Sequence, residues 1–375
     1  MLKLGTIAFG GPAVHVAMLR EETVRRRRWL PDGEFLDLFG AVSVLPGPSS
    51  TQLAIVLARR RAGWPGLVLG GVCFVLPAMA IVLALAWAYV RYGSTPTGGG
   101  VLYGVGPVVI AVVAVAVWEL AGSALARHRE RGRLAVAGMA AVGVAALAGY
   151  LAAVNVLVIL AAAGLVVAVA ANRRRLRPGA LAGVLPVGLL AAAVQPRRQP
   201  GPSLLAVAAE FLKLGVVVFG SGYALLAFLR RDLVTGLGWL SAREVLDAVV
   251  AGQVTPGPLF TTATFLGYLL GGLPAAIVAT AAIFLPSFLM VAALEPLIGR
   301  VRHSRWAGAA LDGVTVAALG LMAGVTVDLG RTAIVDALTA LLAIAALLAL
   351  LRWRPNPLWP VLAGAAVGVA HHTLG

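Results

Sequence analysis

Charged residues, lysine and cysteine are scarce in this chain, and each scarcity excludes a class of protein. Only 12% of the 375 residues are charged while 60% are hydrophobic, and the mean hydropathy is +0.95. That composition is far too apolar for a soluble domain of this size. The single cysteine, Cys73, excludes an intrachain disulfide. The chain has no glycine-rich loop ending in Gly-Lys-Ser or Gly-Lys-Thr, which argues against a built-in ATP motor.

The five histidines also fail to form a recognisable catalytic or metal-binding pattern. His128, His303, His371 and His372 show no metal-ligand spacing with cysteine. No nucleophile–base constellation is visible either. We therefore expect no enzyme activity, no metal and no cofactor.

What the sequence does contain is a series of apolar runs of about 20 residues, which predicts an all-α polytopic membrane protein of about 10–13 helices. The first run contains Gly10-Gly11-Pro12 and reaches Arg20 without a small-residue cleavage pattern, so we expect no cleavable signal. The predicted spans are 3–20, 35–58, 66–90, 103–124, 134–150, 152–171, a weaker 179–195, 204–229, 245–271, 274–298, 307–327, 332–351 and 357–371.

The net charge of +15 comes from arginines placed between the apolar runs, as in Arg25–Arg28 and Arg59–Arg61. In a soluble protein such a charge would suggest nucleic acid. Here loop arginines set topology and meet anionic lipid, so we expect the bilayer and no nucleic acid as partner. A positive field also attracts an anionic solute. Both arginine groups lie on the cytoplasmic side if 35–58 is a re-entrant hairpin rather than a full span.

One short stretch occurs twice, as Pro46-Gly47-Pro48 and as Pro256-Gly257-Pro258. Proline removes a backbone donor and glycine adds a flexible joint, so a helix must break there. In a membrane, such a break is tolerated only where it lines a cavity or is buried in protein. Paired interruptions at matching positions of two halves are typical of a transporter's binding site.

The two halves of the chain align as an internal repeat. With an offset of 210, the only two lysines, Lys3 and Lys213, coincide, as do Arg20 and Arg230. After one deletion the offset is 209, and Glu119 meets Asp328. We predict an N-terminal repeat at 1–172, a linker with a further helix at 173–203 and a C-terminal repeat at 204–375. An inverted repeat is preferred because it supports alternating access, although the charge bias leaves a parallel repeat open.

Each break is followed by the N-terminus of a new half-helix, whose free amides and dipole favour an anion. Hydroxyl and amide groups follow directly, and they are the donors that a tetrahedral oxyanion needs. The alternative is that they bond carbonyls of neighbouring helices. The candidate ligands at the two breaks are Pro46, Gly47, Pro48, Ser49, Gln52, Gln253, Thr255, Pro256, Gly257, Pro258, Thr261 and Thr262.

A second glycine-rich element precedes each break, and it adds Gly10, Gly11, Pro12, His15, Gly220, Ser221 and Gly222 to the candidates. His15 either carries a proton or is a packed hydrogen-bonding residue. Arg20 and Arg230 either clamp an anion or anchor the helices at the interface. Glu119 and Asp328, in otherwise apolar helices, are candidates for proton coupling, with pairing to a loop arginine as the competing interpretation.

The run Phe9-Gly-Gly-Pro-Ala-Val-His15, both Pro-Gly-Pro breaks, Phe219-Gly-Ser-Gly-Tyr223 and Gly252–Thr264 together resemble the chromate ion transporter family in its long, two-domain form. The resemblance covers nearly the whole chain. It implies a multi-pass bacterial inner-membrane protein that exports chromate and so confers resistance, with sulfate as the mimicked anion. It also implies transport driven by the proton gradient or by anion exchange. The alternatives are a transporter of another oxyanion or small organic acid, and a non-transporting membrane scaffold. A homodimer is also considered.

Overall fold

The computed structural model describes residues 1–8, 12–43, 45–126, 128–129, 132–172, 202–218, 225–294 and 305–374. Within these ranges the chain is helical and contains no β-sheet, and five helices are long and apolar enough to cross a membrane. Large apolar side chains such as Trp118, Leu134 and Leu205 are 76%, 90% and 80% exposed. An outer surface of this kind suits lipid rather than water. The prediction of a polytopic helical membrane protein with broken helices is confirmed.

The first half begins with α1 (Leu2–Ile7), α2 (Pro12–Arg20), a π-helical turn at Glu21–Arg26 and α3 (Asp32–Val42). It continues with α4 (Ser49–Tyr92), α5 (Pro96–Ala126), α6 (Arg133–Leu151) and α7 (Val156–Asn172).

The second half gives α8 (Leu204–Val217), α9 (Leu225–Leu229), a π-helical turn at Arg230–Gly236 and α10 (Ala242–Val254). A 3₁₀ turn at Leu259–Thr261 leads into α11 (Thr262–Leu294), followed by α12 (Arg305–Ala333), α13 (Ala337–Trp353) and α14 (Leu358–Leu374). The order of elements therefore recurs. The weaker predicted span 179–195 and most of the predicted linker lie outside the described residues.

Helix α4 consists of two arms that fold back on each other at Gly63, where φ is +61°. Gly66 packs directly on the carbonyl of Ala58, and Gly70 packs on the Ala58 side chain. Helix α11 makes the same turn at Gly272, where φ is +66°. The shorter arm of α4, 49–61, rises only about 20 Å, which is less than the ~30 Å of a bilayer core.

This short arm and α3 form a hairpin with the first Pro-Gly-Pro at its tip. The two open ends meet, because Glu34 at the start of α3 lies 3.7 Å from Arg60 at the end of the arm. Such a hairpin agrees with the prediction that 35–58 is re-entrant rather than a full span. It also places the Arg25–Arg28 and Arg59–Arg61 groups at the same end of the molecule.

The two halves are interleaved rather than side by side. Helix α5 of the first half packs mainly on α13 and α14, while α12 of the second half packs on α6 and α7. Glycines permit this close approach: Gly104 and Gly364 contact each other's backbone, and Gly320 contacts that of Gly143. The inner helices α4 and α11 pack together at the centre, with α1 on α4 and α8 on α11.

Candidate functional site

The first helix break lies between Ser43 and Ser49 and is fixed by Gly47. Gly47 has φ of +107°, a left-handed conformation that favours glycine, and a Cβ added there would lie 2.7 Å from Ser287 Oγ. Its amide donates a hydrogen bond of 2.6 Å to the carbonyl of Val218, at the end of α8. The break in the first half is thus held by the second half.

The second break has the same backbone and makes the reciprocal contact. Gly257 has φ of +108°, and its amide donates a 2.9 Å hydrogen bond to the carbonyl of Ala8, at the end of α1. Ala78 of α4 lies beside it, as Ser287 of α11 lies beside Gly47. The prediction that both Pro-Gly-Pro triplets interrupt their helices is confirmed, and each interruption is bonded to the other half.

Three buried polar atoms at the first break have no hydrogen-bond partner among the described residues. They are Thr51 Oγ1, Gln52 Oε1 and Ser287 Oγ, and the three side chains are fully buried. The other end of the Gln52 amide donates to the carbonyl of Pro46. Ser49 opens α4 and is half-buried. A buried polar atom without a partner is costly, so these atoms are available to a ligand or to water.

The second break differs, because its hydroxyls are already engaged. Thr261 donates to the carbonyl of Pro258 and Thr262 to that of Leu259, both at 2.8 Å. Thr255 donates to Ala251, while Gln253 Nε2 is buried without a described partner. In this conformation Thr261 and Thr262 satisfy backbone acceptors in their own turn. Their role as anion ligands stays a prediction that requires their hydroxyl hydrogens to be redirected.

His15 joins the two interrupted elements of the first half. It is buried, its Nε2 lies 3.0 Å from the carbonyl of Ala8, and its Nδ1 lies 3.3 Å from Ser50 Oγ. A carbonyl only accepts, so Nε2 carries the hydrogen, and in the neutral ring Nδ1 accepts from Ser50. The Ala8 carbonyl therefore receives both His15 and the Gly257 amide. This geometry is that of a packed hydrogen-bonding histidine, and a proton-carrying role stays a prediction.

A separate charged cavity of about 580 Å³ lies beside Arg230. Arg230 Nε is 3.2 Å from Asp328 Oδ2, which also accepts a 3.2 Å hydrogen bond from the Tyr150 hydroxyl. Lys213 pairs with Asp232 at 2.8 Å and with Glu210 at 2.6 Å. The structure thus brings together Arg230 and Asp328, which the sequence assigned to different roles.

Their counterparts in the first half have different surroundings. Arg20 makes a two-point ion pair with Asp32 at 2.6 and 2.5 Å, and the hydrogen bond from Arg20 lowers the pKa of Asp32. Glu119 is exposed on α5. The two carboxylates predicted as equivalent therefore have different surroundings, and the coupling role of each stays a prediction.

Several predicted positions lie outside the described residues, namely Gly10, Gly11, Gly220, Ser221 and Gly222; Pro12 begins α2. Sequence reasoning missed Ser287 and Tyr150, whereas Thr51 is one of the hydroxyl residues that follow the first break. A signal for Ser287 was present, because it follows Pro286 exactly where the first half has Ala78 after Pro77. A polar residue therefore occupies only one of these two aligned positions.

Comparison with known proteins places the amino-acid sequence in a family. A family model described as chromate transporter matches residues 1–168 and 205–369. The chain belongs to the chromate transporter family. Because this is a family of transporters, the expectation of a non-enzyme is confirmed.

Curated members of the chromate transporter family align over nearly the whole chain. The chromate transport protein of Cupriavidus metallidurans is 35% identical over 98% of this chain and 90% of its own length. The probable chromate transport protein of Synechococcus elongatus is 34% identical, over 97% and 92%. That of Pseudomonas aeruginosa is 33% identical, over 88% and 79%. No solved structure matches the chain significantly.

Proposed function

We propose that this family member is a secondary active transporter that exports chromate, with sulfate as a competing anion, across the bacterial inner membrane. The observation that carries the proposal is the reciprocal bonding of the two helix breaks, Gly47 to Val218 and Gly257 to Ala8. The names of the three relatives supply the solute. The export confers resistance, and the protein needs no ATP and no cofactor.

The reciprocal hydrogen bonds suggest how access alternates. A movement that separates the two halves at the breaks lengthens both bonds together and frees the amides of Gly47 and Gly257. The freed amides then meet an anion at the N-terminus of a half-helix, where the backbone dipole favours negative charge. Closing the bonds again expels the anion. Alternation of this kind needs two repeats, which we assign to 1–172 and 204–375 and treat as inverted.

The deciding experiment is transport of chromate by the full chain in proteoliposomes. Uptake is measured with an imposed pH gradient and, separately, with sulfate or chromate inside the vesicles. We expect saturable chromate uptake, competition by sulfate at comparable concentration and counterflow against internal sulfate. If another oxyanion or an organic acid is taken up saturably and chromate is not, that compound is the transported solute. Absence of any solute flux by folded protein supports the scaffold alternative and overturns the proposal.

A further inference from the structure

We infer that the cavity beside Arg230 is a second oxyanion site, in which Asp328 and the transported anion compete for the Arg230 guanidinium. This inference rests on the proposed function and deepens it by coupling anion binding to a proton. The site is separate from the helix breaks and lies between the two halves, because Tyr150 and Asn155 of the first half also line the cavity.

The size and lining of the cavity fit a tetrahedral oxyanion. Its volume of about 580 Å³ leaves ample room for such an anion with its water. Four basic side chains line it against two acidic ones, which leaves an excess of positive charge. The basic residues are Lys213, Arg230, Arg231 and Arg331, and the acidic ones are Asp232 and Asp328.

Among the four cations, Arg230 is the one best placed to take a ligand. Lys213 is already held by Glu210 and Asp232, and Arg231 donates to the carbonyl of Val154. Arg331 is largely exposed, at 3.8 Å from Asp328. Arg230 is mostly buried, and its Nη1 has no hydrogen-bond partner among the described residues. An unsatisfied guanidinium nitrogen favours an anionic acceptor. Because Nη1 is itself buried, the anion reaches it only by displacing the groups around it.

The contact between Arg230 and Asp328 is loose enough to be replaced. It is one Nε–Oδ2 contact of 3.2 Å, whereas Arg20 and Asp32 make two contacts of 2.6 and 2.5 Å. A tetrahedral dianion offers two oxygens to the guanidinium and the stronger, two-point geometry. Asp328 then loses its pairing with Arg230, keeps the exposed Arg331 at 3.8 Å, and gains a neighbouring negative charge.

That change favours protonation of Asp328, because a like charge disfavours the ionised carboxylate and a cation favours it. The proton comes from the water of the cavity and stays on the Asp328 carboxyl while the anion is bound. The titratable groups that line the cavity with Asp328 are Arg331 of α12, Tyr150 of α6, Arg230, Arg231 and Asp232 of the π-helical turn, and Lys213 of α8, which is paired with Glu210. Anion and proton therefore bind together, and each raises the affinity of the other.

The consequence for transport is a reduction of charge. A dianion moving with one proton carries a single negative charge. In a cell whose interior is negative, the membrane potential drives that charge outward. The membrane potential therefore still favours export, although by less than for the bare dianion.

The test uses purified full-length protein in detergent and sulfate as the probe, because sulfate stays a dianion where chromate protonates. Thermal stabilisation by sulfate is titrated at about pH 6 and about pH 8, with chloride at equal ionic strength as reference. We expect wild-type half-saturation to rise several-fold from the lower to the higher pH. Asp328→Asn should bind several-fold more tightly than wild type at the higher pH, with no pH dependence. Arg230→Gln should lose at least about tenfold in affinity.

The matched control is Asp312→Asn, which removes a carboxylate of the same helix that lies 3.2 Å from His128 and outside the cavity. It should keep the wild-type pH dependence. The inference is overturned if wild type shows no sulfate-specific stabilisation, or if Asp328→Asn either keeps the wild-type pH dependence or weakens binding as Arg230→Gln does.

Transport assays test this inference separately from the proposed function. In proteoliposomes, Asp328→Asn should keep chromate–sulfate exchange and lose uptake driven by a pH gradient. If wild type moves no chromate, the proposed function fails while the sulfate titrations still decide the cavity. If wild type moves chromate and Asp328→Asn is driven by the gradient as before, the inference fails alone.

Discussion

At the scale of single residues, the two breaks share a backbone and differ in their free polar atoms. Thr51 Oγ1 is buried without a partner, whereas Thr261 and Thr262 donate to carbonyls. A hydrogen bond to a charged partner contributes roughly 1.5–3 kcal/mol. Thr51→Val, which keeps the shape, should therefore raise the half-saturation concentration for chromate by roughly 10- to 150-fold.

The same measurement on Thr261→Val and Thr262→Val completes this comparison. If their hydroxyls are redirected to the anion, each raises half-saturation by a similar factor; if they stay on their carbonyls, each changes protein abundance instead. Ser49→Ala belongs to the same series. Unchanged chromate transport and sulfate competition in all four variants, at normal expression, would place the anion away from the breaks and leave the Arg230 cavity as its site.

A second prediction at the scale of residues concerns Gly47. Its surroundings leave no space for a side chain, and its backbone conformation disfavours any residue other than glycine. At φ of +107°, Gly47→Ala is strained by on the order of 1–3 kcal/mol, and its Cβ would meet Ser287 Oγ at 2.7 Å and Gln52 Nε2 at 2.8 Å. The thermal midpoint of the purified protein should fall. Gly33→Ala, in helix α3 with nothing within 4 Å, is the control and should not lower it. Equal midpoints for the two variants would contradict the strained break.

At the scale of elements, α5 and α14 approach each other closely. Whether replacing a glycine of α5 by alanine raises or lowers stability therefore depends on its position. In an exposed helix, replacing glycine by alanine stabilises by roughly 0.5–1 kcal/mol. A Cβ at Gly104 would instead collide with the carbonyl of Gly364, while Gly122 in the same helix has nothing within 4 Å. Gly104→Ala should lower the thermal midpoint and Gly122→Ala should leave it equal or higher. The opposite order would show that this contact does not hold the halves together.

Some of the elements were predictable from the sequence and others were not. The breaks were predictable because Pro46-Gly47-Pro48 and its copy cannot continue a helix. A hairpin at 35–58 was the condition under which both arginine groups lie on the cytoplasmic side. The partner of α5 was not predictable. Small residues such as Gly104 permit close packing but do not indicate which helix packs against them. The candidate site was predicted only in part, because Arg230 and Asp328 pair in the structure but lie 98 positions apart in the sequence. Aligning the two halves by their shared residues also left the difference between Ser287 and Ala78 unnoticed.

At the scale of the whole molecule, interleaving means that neither half can complete its packing alone. Helix α5 finds its partners in α13 and α14, and α12 finds its partners in α6 and α7. Residues 1–172 expressed alone would expose the face of α5 that these helices cover, and 204–375 would expose that of α12. We expect each half alone either to fail to accumulate in the membrane or to associate with a second copy of itself.

Co-expression of the two halves, cut in the segment 173–203, should restore the missing partners. The halves should then co-purify, and chromate uptake in proteoliposomes should return, because the hydrogen bonds from Gly47 to Val218 and from Gly257 to Ala8 can form again. The assay is pull-down through a tag on one half, followed by transport. Gly104→Ala in the first half supplies the control, since it should weaken co-purification by disturbing the contact with Gly364. A stable monomeric half with full helical content would contradict the interleaved architecture, and with it the view that the two breaks move as one unit.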